Sequence, residues 1–346
     1  MGVGVAKPGC PRFLYCHESG IIEFMVNLAE PLIVICGPTG VGKTRLAVSL
    51  GSWLPVEVIS ADSRQVYRGM EIGTGKPTAE ERRAVRHHLL DVADPDEQYH
   101  AARFVREAEK AIEGIKRRGA VPLVVGGTGL YIRALLRGLA PAPPADPALR
   151  RKLREELGHD GSPALHARLV AVDPAAAKRI HPRDGVRIVR ALEIHTLTGR
   201  PQGVPDHWRN PERSRHALII GLTMERKRLY ASLERRVDRM IADGFSQEVA
   251  RLLESGYSED LPSMRGIGYH HLAGALRGRF PMEEAVRVMK RDTKRYAKRQ
   301  WTWFERETGI EWLPVDSPED FDLAIEIARE MISPHLGSPR TLAIAK

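Results

Sequence analysis

The segment Gly37–Thr44 constrains the fold more than any other part of the sequence. It matches the phosphate-binding pattern G-x-x-x-x-G-K-[ST] and directly follows the apolar run Leu32–Cys36. A short β-branched run of this kind predicts a buried parallel strand, and the residues from Lys43 to about Trp53 predict the helix after it. Glycines let successive backbone N–H groups converge on an anion, and the helix N-terminus adds a partial positive charge. The segment therefore predicts a phosphate site at the end of a parallel sheet.

All residues of this segment are candidates for binding a diphosphate or a nucleotide: Gly37, Pro38, Thr39, Gly40, Val41, Gly42, Lys43 and Thr44. Lys43 would place a point charge on the phosphates, and the Thr44 hydroxyl would be a ligand of Mg²⁺. The pattern predicts a bound di- or triphosphate, but it does not specify a reaction.

The acid that a P-loop ATPase uses is missing from its usual place. Such enzymes normally carry an acid at the end of a second apolar strand, where it serves Mg²⁺ and water chemistry. Here the run Val121–Val125 ends in Gly126–Thr128, which contains no acid. The acid that does lie at the end of a predicted strand is Asp62, which comes just after the run Val56–Ser60. On its own, Asp62 fits an N-cap or a structural partner of a loop arginine as well as it fits catalysis.

Apolar runs and helical patterns alternate in the first part of the chain, so the sequence predicts an α/β fold. We expect a P-loop NTPase-like parallel sheet flanked by helices, with ligand sites beyond the C-terminal ends of the strands. The proline-rich stretch 141–147 interrupts this alternation, and a charged, helix-rich stretch follows. The predicted domains are an N-terminal arm (1–30), the first part of the P-loop core (31–140), an inserted all-helical domain (141–210) and a return to the core with C-terminal basic helices (211–346). The arm is either disordered or an over-extended start upstream of Met25.

Composition excludes several classes of protein. The 346 residues are 42% hydrophobic and 28% charged, which is typical of a globular protein rather than a disordered one. The longest apolar runs fall far short of the ~18 residues that a membrane-spanning helix needs. The three cysteines lack C-x-x-C spacing, so neither a zinc site nor a disulfide framework is predicted, and a reducing cytoplasm fits best. The pairs His87–His88 and His270–His271 have no companion ligands nearby in the sequence, so we predict no metal role for them.

Positive charge is concentrated near the C-terminus. The net charge of the chain is +9, and the stretch Arg265–Arg306 holds eleven Lys/Arg against four Asp/Glu. A basic balance suggests a polyanionic partner without choosing among nucleic acid, an anionic membrane and a solubility device. Within this stretch, Tyr296, Gln300 and Phe304 share one helical face, so a packed helix with a solvated basic side is an equally good interpretation.

Several blocks of sequence together resemble the tRNA dimethylallyltransferase family. The blocks run in the family's order from about residue 31 to 304: Gly37–Thr44, Asp62–Pro77, Val125–Tyr131, Arg187–Glu193, Gly266–Tyr269 and Lys298–Trp303. The long block Asp62–Pro77 is much more specific than a P-loop. No C-terminal Cys/His finger of the eukaryotic relatives is present, which favours a bacterial form.

The resemblance implies a reaction for the phosphate site. Family members transfer the dimethylallyl group of dimethylallyl diphosphate to N6 of the adenine at position 37 of tRNA, 3′ to the anticodon, and release diphosphate. The P-loop would then bind diphosphate rather than ATP, which accounts for the missing acid. Asp62 matches the general base, and Thr128 matches a residue beside the leaving diphosphate. Lys43, Thr44 with Mg²⁺, and Arg265 would stabilise the departing charge.

The resemblance also implies an RNA-binding surface for the anticodon stem-loop. The target base is stacked in that loop, so it must be extruded into the protein before Asp62 can reach it. Motif matching assigns the tRNA-facing residues as Asp62, Ser63, Arg64, Gln65, Thr128, Arg150, Val186, Arg187, Ile188, Val189, Arg190, Arg265, Gly266, Ile267, Gly268, Tyr269 and His270. His270 stands where an arginine often follows in the family, so this position departs from the family's pattern. We expect a cytoplasmic monomer with no obligate protein partner and no membrane association.

Three alternatives remain at this point. A related adenylate isopentenyltransferase would prenylate free AMP, ADP or ATP, but it needs neither the helical insertion nor the basic C-terminal helix. A P-loop small-molecule kinase is compatible with Gly37–Thr44 alone. A non-catalytic RNA-binding protein would leave the P-loop and Asp62 without a purpose.

Overall fold

The computed structural model describes residues 12–17, 20–25, 31–139, 142–201, 215–336 and 340–342. Its strands are β1 (Arg12–His17), β2 (Gly20–Met25), β3 (Leu32–Cys36), β4 (Val56–Ser60), β5 (His87–His88), β6 (Val121–Gly126), β7 (Ala217–Thr223), β8 (Ile310–Pro314) and β9 (Arg340–Leu342). Its helices are α1 (Lys43–Gly51), α2 (Ala79–Ala84), α3 (Ala101–Arg117), α4 (Gly129–Arg137), α5 (Pro147–Val172), α6 (Pro174–Arg179), α7 (Gly185–Thr198), α8 (Arg226–Ala242), α9 (Phe245–Glu254), α10 (Tyr269–Leu276), α11 (Met282–Phe304) and α12 (Pro318–Ile332).

A parallel sheet of six strands forms the centre of the core unit, in the order β5-β4-β6-β3-β7-β8. Strands β3, β4 and β6 are buried along their whole length, because helices cover both faces of the sheet and leave no solvated side. One face packs on α1 and α12, through Leu46 and Phe321, and the other packs on α3 and α4, through Phe104 and Ile132. The predicted α/β fold with a parallel sheet flanked by helices is confirmed.

The C-terminal ends of β3, β4 and β6 meet at one edge of the sheet. Ala61 N donates to Val125 O at 2.8 Å, and Thr128 N donates to Ala61 O at 3.1 Å. The loops that follow β3, β4 and β6 therefore lie next to one another, and each of these loops carries candidate site residues. A third apolar cluster, with Met70, Phe245 and Tyr269 among its members, joins the loop after β4 to helices α8–α11.

A second compact unit spans residues 137–214, four residues beyond the predicted insertion at each end. It consists of α5, α6 and α7 around a small core that includes Leu153, Leu169 and Ile188. Helix α5 is interrupted at Gly161, where φ is 79°. In its described residues this unit is all-helical.

The N-terminal arm contains strands that the sequence did not suggest. β1 and β2 form an antiparallel pair, and β2 pairs with β9. This pairing connects the two ends of the chain, so a pattern search along the arm alone misses it; the rest of the arm lies outside the described residues. No helix within the described ranges is both long and apolar enough to span a membrane.

Candidate active site

The phosphate-binding segment forms a tight loop between β3 and α1. Gly37, Gly40 and Gly42 have φ values of 135°, 83° and 99°, which L side chains rarely adopt. A Cβ added to Gly37 would also overlap the backbone carbonyl of Leu222 in β7. Glycine is therefore required here, and the loop brings backbone N–H groups to the N-terminus of α1, an arrangement suited to an anion.

Lys43 lies half-buried beneath this loop. Its Nζ donates to Gly37 O at 3.0 Å and to Pro38 O at 2.7 Å. Burial lowers the pKa of the Lys43 ammonium to about 8, an effect that nearby Asp62 opposes and nearby Arg236 reinforces. An anion bound in the loop would oppose that desolvation and favour the charged lysine.

Asp62 follows β4 and is oriented by its own turn. Its Oδ1 accepts from Arg64 N at 2.8 Å and from Gln65 N at 3.3 Å. Its Oδ2 accepts no hydrogen bond from the residues that the structure describes, so this oxygen can accept a proton from a ligand. Thr128 lies alongside, because its Oγ1 accepts from Ser63 N at 3.0 Å.

Two cavities adjoin these groups within the core unit. The larger, about 780 Å³, is lined by Gly40 and Thr44 of the phosphate loop and by most residues of the stretch from Glu71 to Arg82. The smaller, about 100 Å³, is lined by Asp62 and by Thr39 of the phosphate loop. Arg236 and Met240 of α8 line both. The phosphate loop and the carboxylate therefore lie along one continuous wall.

Arg236 is a site residue that the sequence analysis missed. Burial lowers the pKa of its guanidinium, and Asp62 opposes that shift. A Cβ on Gly75 would overlap the Arg236 guanidinium, so this glycine allows the close approach. One signal could have identified it: Arg236 interrupts the apolar stripe of Leu229, Leu233 and Val237 on α8.

Gln300 of α11 links two walls of the site. Its Oε1 accepts from Thr39 N in the phosphate loop, and its Nε2 donates to Gly127 O after β6, both at 2.9 Å. The buried face predicted for this helix is thus confirmed at Gln300 and Phe304, which are 5% and 2% exposed. Tyr296 lines the Asp62 cavity, where burial and the negative charge of Asp62 raise the pKa of its hydroxyl.

The residues after Asp62 bind other parts of the protein. Arg64 Nη1 donates to Pro262 O at 2.6 Å and more weakly to Ser263 O at 3.3 Å. Gln65 accepts from Ser60 Oγ and donates to Gly75 O. These side chains hold the wall of the cavity, whatever contacts they also make with a substrate.

The predicted segment Arg265–His270 divides between two places. Gly266 and Ile267 line the Asp62 cavity, whereas Arg265 and His270 line a separate cavity of about 740 Å³. Arg265 is 68% exposed, with its Nη2 3.4 Å from Asp260. Contrary to our expectation, Arg265 does not line the cavities beside the phosphate loop and Asp62, whereas Arg236 lines both of them.

Tyr269 and Gly268 are shielded from bulk solvent, although Tyr269 also lines the Asp62 cavity. Tyr269 is 1% exposed, and its hydroxyl donates to Glu248 Oε1 at 2.6 Å. A Cβ on Gly268 would overlap the ring of Phe245. Contact of Tyr269 with a base extruded into the Asp62 cavity therefore stays a prediction, whereas no exposed surface presents its side chain.

The candidates in the helical unit also divide by burial. Ile188 and Val189 are 0% and 4% exposed, because they belong to the core of that unit. Val186 is 82% exposed and the Arg187 side chain 65%. Side-chain contact with RNA is thus corrected for Ile188 and Val189 and stays a prediction for Val186 and Arg187.

Arg150 and Arg190 are bound to a buried carboxylate. Arg150 Nη2 and Arg190 Nη1 donate to Glu193 Oε2 at 2.6 and 2.7 Å. Glu193 is fully buried, and these arginines hold its pKa below the usual range against the opposing effect of burial. The two guanidinium groups therefore stabilise the helical unit, and the predicted tRNA contact of Arg150 and Arg190, whose side chains are 24% and 34% exposed, stays a prediction.

Histidine and aspartate side chains cluster beside Arg265. Possible ligand atoms of His270, His271 and Asp292 all lie within 4.8 Å of one another. Asp292 Oδ1 also accepts from Arg291 at 3.0 Å and from Arg295 at 3.4 Å. Because guanidinium groups already neutralise this carboxylate, the cluster is poorly suited to a cation.

Comparison with known proteins gives consistent matches. A family model described as IPP transferase matches residues 65–307. A tRNA dimethylallyltransferase from Geobacter metallireducens is 49% identical over 292 residues, which cover 84% of this chain and 94% of that protein. A tRNA dimethylallyltransferase from Pelotomaculum thermopropionicum is 46% identical over 306 residues, with coverage of 88% and 97%.

Solved structures agree with these sequence matches. The full-length tRNA isopentenylpyrophosphate transferase from Bacillus halodurans is 40% identical, with a TM-score of 0.64 and coverage of 88% of this chain and 98% of that one. A eukaryotic dimethylallyltransferase, described as acting on tRNA, is 31% identical, with a TM-score of 0.73 and coverage of 88% and 80%.

Proposed function

The chain belongs to the IPP transferase family and transfers a dimethylallyl group to tRNA, and we propose that the acceptor is N6 of the adenine at position 37. The donor is dimethylallyl diphosphate, and diphosphate is released. The observation that carries the proposal is the position of Asp62. The Asp62 carboxylate lines the same cavity as Thr39 of the phosphate loop and Arg236. Its Oδ1 is held by its own turn, and its Oδ2 accepts no hydrogen bond from the described residues.

The proposed chemistry assigns one task to each group. The N6 amine attacks C1 of the allyl group, the C1–O bond breaks, and the diphosphate leaves with the bonding electrons. The N6 proton passes to Asp62 Oδ2, because the amine is a weak nucleophile that must lose a proton as it reacts. The N–H groups of Gly37–Thr44, with Lys43 and Arg236, stabilise the negative charge on the leaving group.

We propose that Mg²⁺ acts with the diphosphate. Thr44 lies in the first turn of α1 and lines the large cavity. A single hydroxyl fits this ion, since Mg²⁺ commonly keeps several waters and binds through substrate phosphates rather than in an all-protein cage. Bound there, Mg²⁺ would neutralise part of the diphosphate charge.

The turn after β6 disfavours a hydrolytic reaction. A Cβ added to Gly126 would overlap the carbonyl of Ala61, so no acidic side chain fits at this position. The turn therefore carries no residue to activate water. Transfer of an alkyl group to an amine needs no activated water, and Asp62 is the base that it requires.

The acceptor is tested by offering two substrates in parallel. We expect label from labelled dimethylallyl diphosphate to enter unmodified tRNA and not AMP. The helical unit at 137–214 and the basic helix α11 favour the larger acceptor. Label in AMP alone would identify an adenylate isopentenyltransferase. ATP consumption with a small acceptor would identify a kinase.

Asp62→Asn tests the general base. Asparagine keeps the Oδ1 acceptor that holds the turn but cannot take up the proton, so kcat should fall roughly 10²–10⁴-fold. Binding of tRNA should stay within a few fold. Asp94→Asn, at an exposed aspartate that pairs with Arg68, is the control and should leave kcat unchanged. Full turnover in Asp62→Asn would exclude Asp62 as the base.

We further propose that the enzyme works in the cytoplasm as a monomer, bound to neither a membrane nor an obligate protein partner. The three cysteines offer no disulfide framework. The proposed acceptor, tRNA, is a large polyanion, and this favours an aqueous compartment. Light scattering on the purified protein should give a mass near 38.6 kDa. A stable dimer would contradict this part of the proposal.

A further inference from the structure

Glu248 of α9 is a buried carboxylate that binds consecutive backbone N–H groups. Its Oε2 accepts from Glu71 N at 2.9 Å and from Ile72 N at 2.7 Å, and its Oε1 accepts from Gly73 N at 3.1 Å. The hydroxyl of Tyr269 donates to the same Oε1. Glu248 is 2% exposed, so four donors converge on one carboxylate shielded from solvent.

The segment bound in this way, which we call the 71–75 loop, forms part of both cavities. Glu71, Ile72 and Gly75 line the large cavity, and Gly73 and Thr74 line the cavity that contains Asp62. Glu248 itself lines neither cavity. It therefore contacts the loop from the side away from the substrate.

The opposite side of the 71–75 loop meets the reacting groups. Gly75 lies so close to the Arg236 guanidinium that a Cβ there would overlap Nη2. Gly75 O also accepts from Gln65 Nε2 at 3.1 Å, and Gln65 N donates to Asp62 Oδ1. A shift of the loop would therefore disturb both Arg236 and the turn that orients Asp62.

Packing alone does not explain a carboxylate at this position. An apolar side chain would fill the same space, but it would leave three backbone N–H groups and a tyrosine hydroxyl without an acceptor. Space around the loop is also restricted, since a Cβ on Gly73 would overlap the rings of Phe245 and Tyr269. The loop thus has little freedom while Glu248 accepts its N–H groups.

We propose that Glu248 is a positioning residue: by fixing the 71–75 loop, it holds the Arg236 guanidinium in place to bind the diphosphate. Tyr269 supports Glu248 through its hydroxyl. The inference rests on the proposed function for the identity of the anion. Direct binding of inorganic diphosphate separates the two, because that measurement does not depend on transfer.

The experiment compares Glu248→Gln with Glu57→Gln. Glutamine keeps the shape of the side chain but turns an N–H₂ group toward N–H donors. We expect the Kd for inorganic diphosphate with Mg²⁺, and the KM for dimethylallyl diphosphate, each to rise about tenfold. We expect kcat to fall as well, because Arg236 also stabilises the leaving group, and tRNA binding to stay within threefold. Glu57 is a buried carboxylate that is bound to Arg118 and His88 and lines neither cavity. Glu57→Gln should therefore lower the free energy of unfolding about as much as Glu248→Gln does, but it should not change the KM.

A double-mutant cycle distinguishes positioning from general stability. In an Arg236→Gln background, Glu248→Gln should change the diphosphate Kd less than twofold, because the group it positions is gone. Tyr269→Phe keeps the buried ring and should give a smaller rise, about threefold, that also disappears in that background. Additive effects, or an unchanged Kd in Glu248→Gln, would overturn the proposal. Wild-type protein that binds diphosphate but prenylates no tRNA would instead overturn the proposed function alone.

Discussion

His271 is a buried titratable residue whose protonation couples folding to pH. Its Nδ1 accepts from Gly268 N, and its Nε2 lies 3.3 Å from Asp292 Oδ2. Burial lowers the pKa of His271 from 6.5 to about 4; the charges of His270 and Arg291 add to this, and Asp292 opposes it. The folded protein therefore keeps this ring neutral over a range in which the unfolded chain protonates it.

This difference predicts a loss of stability in acid. Between about pH 6.5 and 4 the unfolded state holds one more proton at His271, so the free energy of unfolding falls as pH is lowered, by up to about 1.4 kcal/mol per unit. We expect His271→Gln to remove this contribution. Urea unfolding at several pH values between 4.5 and 7.5 measures it. His216→Gln, at an exposed histidine, is the control, and parallel curves for wild type and His271→Gln would contradict the prediction.

Sequence reasoning identified residues that sit in a recognisable local pattern. Lys43 and Asp62 each follow a predicted strand, and the parallel sheet brings strand ends together, so their proximity could be expected. Arg236 and Glu248 lie in ordinary amphipathic helices, where charged residues normally face solvent. Their roles depend on tertiary packing that brings α8 and α9 against the 71–75 loop, and no local pattern records that contact.

Helix α11 has two faces with different tasks. Its buried face carries Gln300 to the phosphate loop, and its other face exposes Lys298 and Arg299. Lys294, by contrast, lies 2.5 Å from Glu234 and is only 29% exposed. The two interpretations of this stretch are therefore compatible, since one helix can pack along one side and present cations on the other.

The exposed face predicts the salt dependence of tRNA binding. Each phosphate contact contributes roughly 0.7 to 0.9 to the slope of log K against log salt. Lys298→Gln and Arg299→Gln should each lower the slope by about that amount without changing catalysis on bound tRNA. Lys294→Gln and Arg295→Gln should have less effect, because Glu234 and Asp292 already pair with these residues. Titrations at several salt concentrations measure the slope. Lys110→Gln, on α3, is the control. Unchanged slopes would show that the exposed cations of α11 face solvent and do not contact tRNA phosphates.

Strands were predictable where burial on both faces requires an unbroken run of apolar residues in the sequence. β3 and β4 are apolar runs buried on both faces, and they have the bounds of the runs Leu32–Cys36 and Val56–Ser60. β5 has two residues, His87 and His88, and exists because it pairs with β4. A strand defined by its partner, with no apolar run of its own, cannot be identified from local sequence.

At the scale of the whole molecule, the chain leaves the core once and returns to nearly the same point. Arg215 N donates to Leu136 O at 2.7 Å, so the two core residues that flank the helical unit are hydrogen-bonded to each other. The helical unit has its own apolar core and its own buried carboxylate, Glu193. The insertion was predictable as a break in the α/β alternation, but its bounds depend on which residues pack together.

This topology predicts that the helical unit can be removed without unfolding the core. Replacing residues 137–214 by a short Gly/Ser link should leave a cooperatively folding protein, because the link needs to span only the distance between hydrogen-bonded neighbours. The phosphate loop, Asp62 and Arg236 all lie in the core, so inorganic diphosphate with Mg²⁺ should bind within about threefold of the intact protein. Affinity for tRNA should fall more than tenfold, because Val186 and Arg187 are lost.

Calorimetry with diphosphate and filter binding with unmodified tRNA measure the two affinities on the same protein. The intact protein with Val186→Ser and Arg187→Gln is the matched comparison, since it removes the exposed candidates and keeps the fold of the helical unit. If it loses as much tRNA affinity as the excised protein, those two residues account for the unit's share of binding. Unchanged tRNA affinity after excision would assign recognition to the core, and lost diphosphate binding would show that the core depends on the unit to form its site.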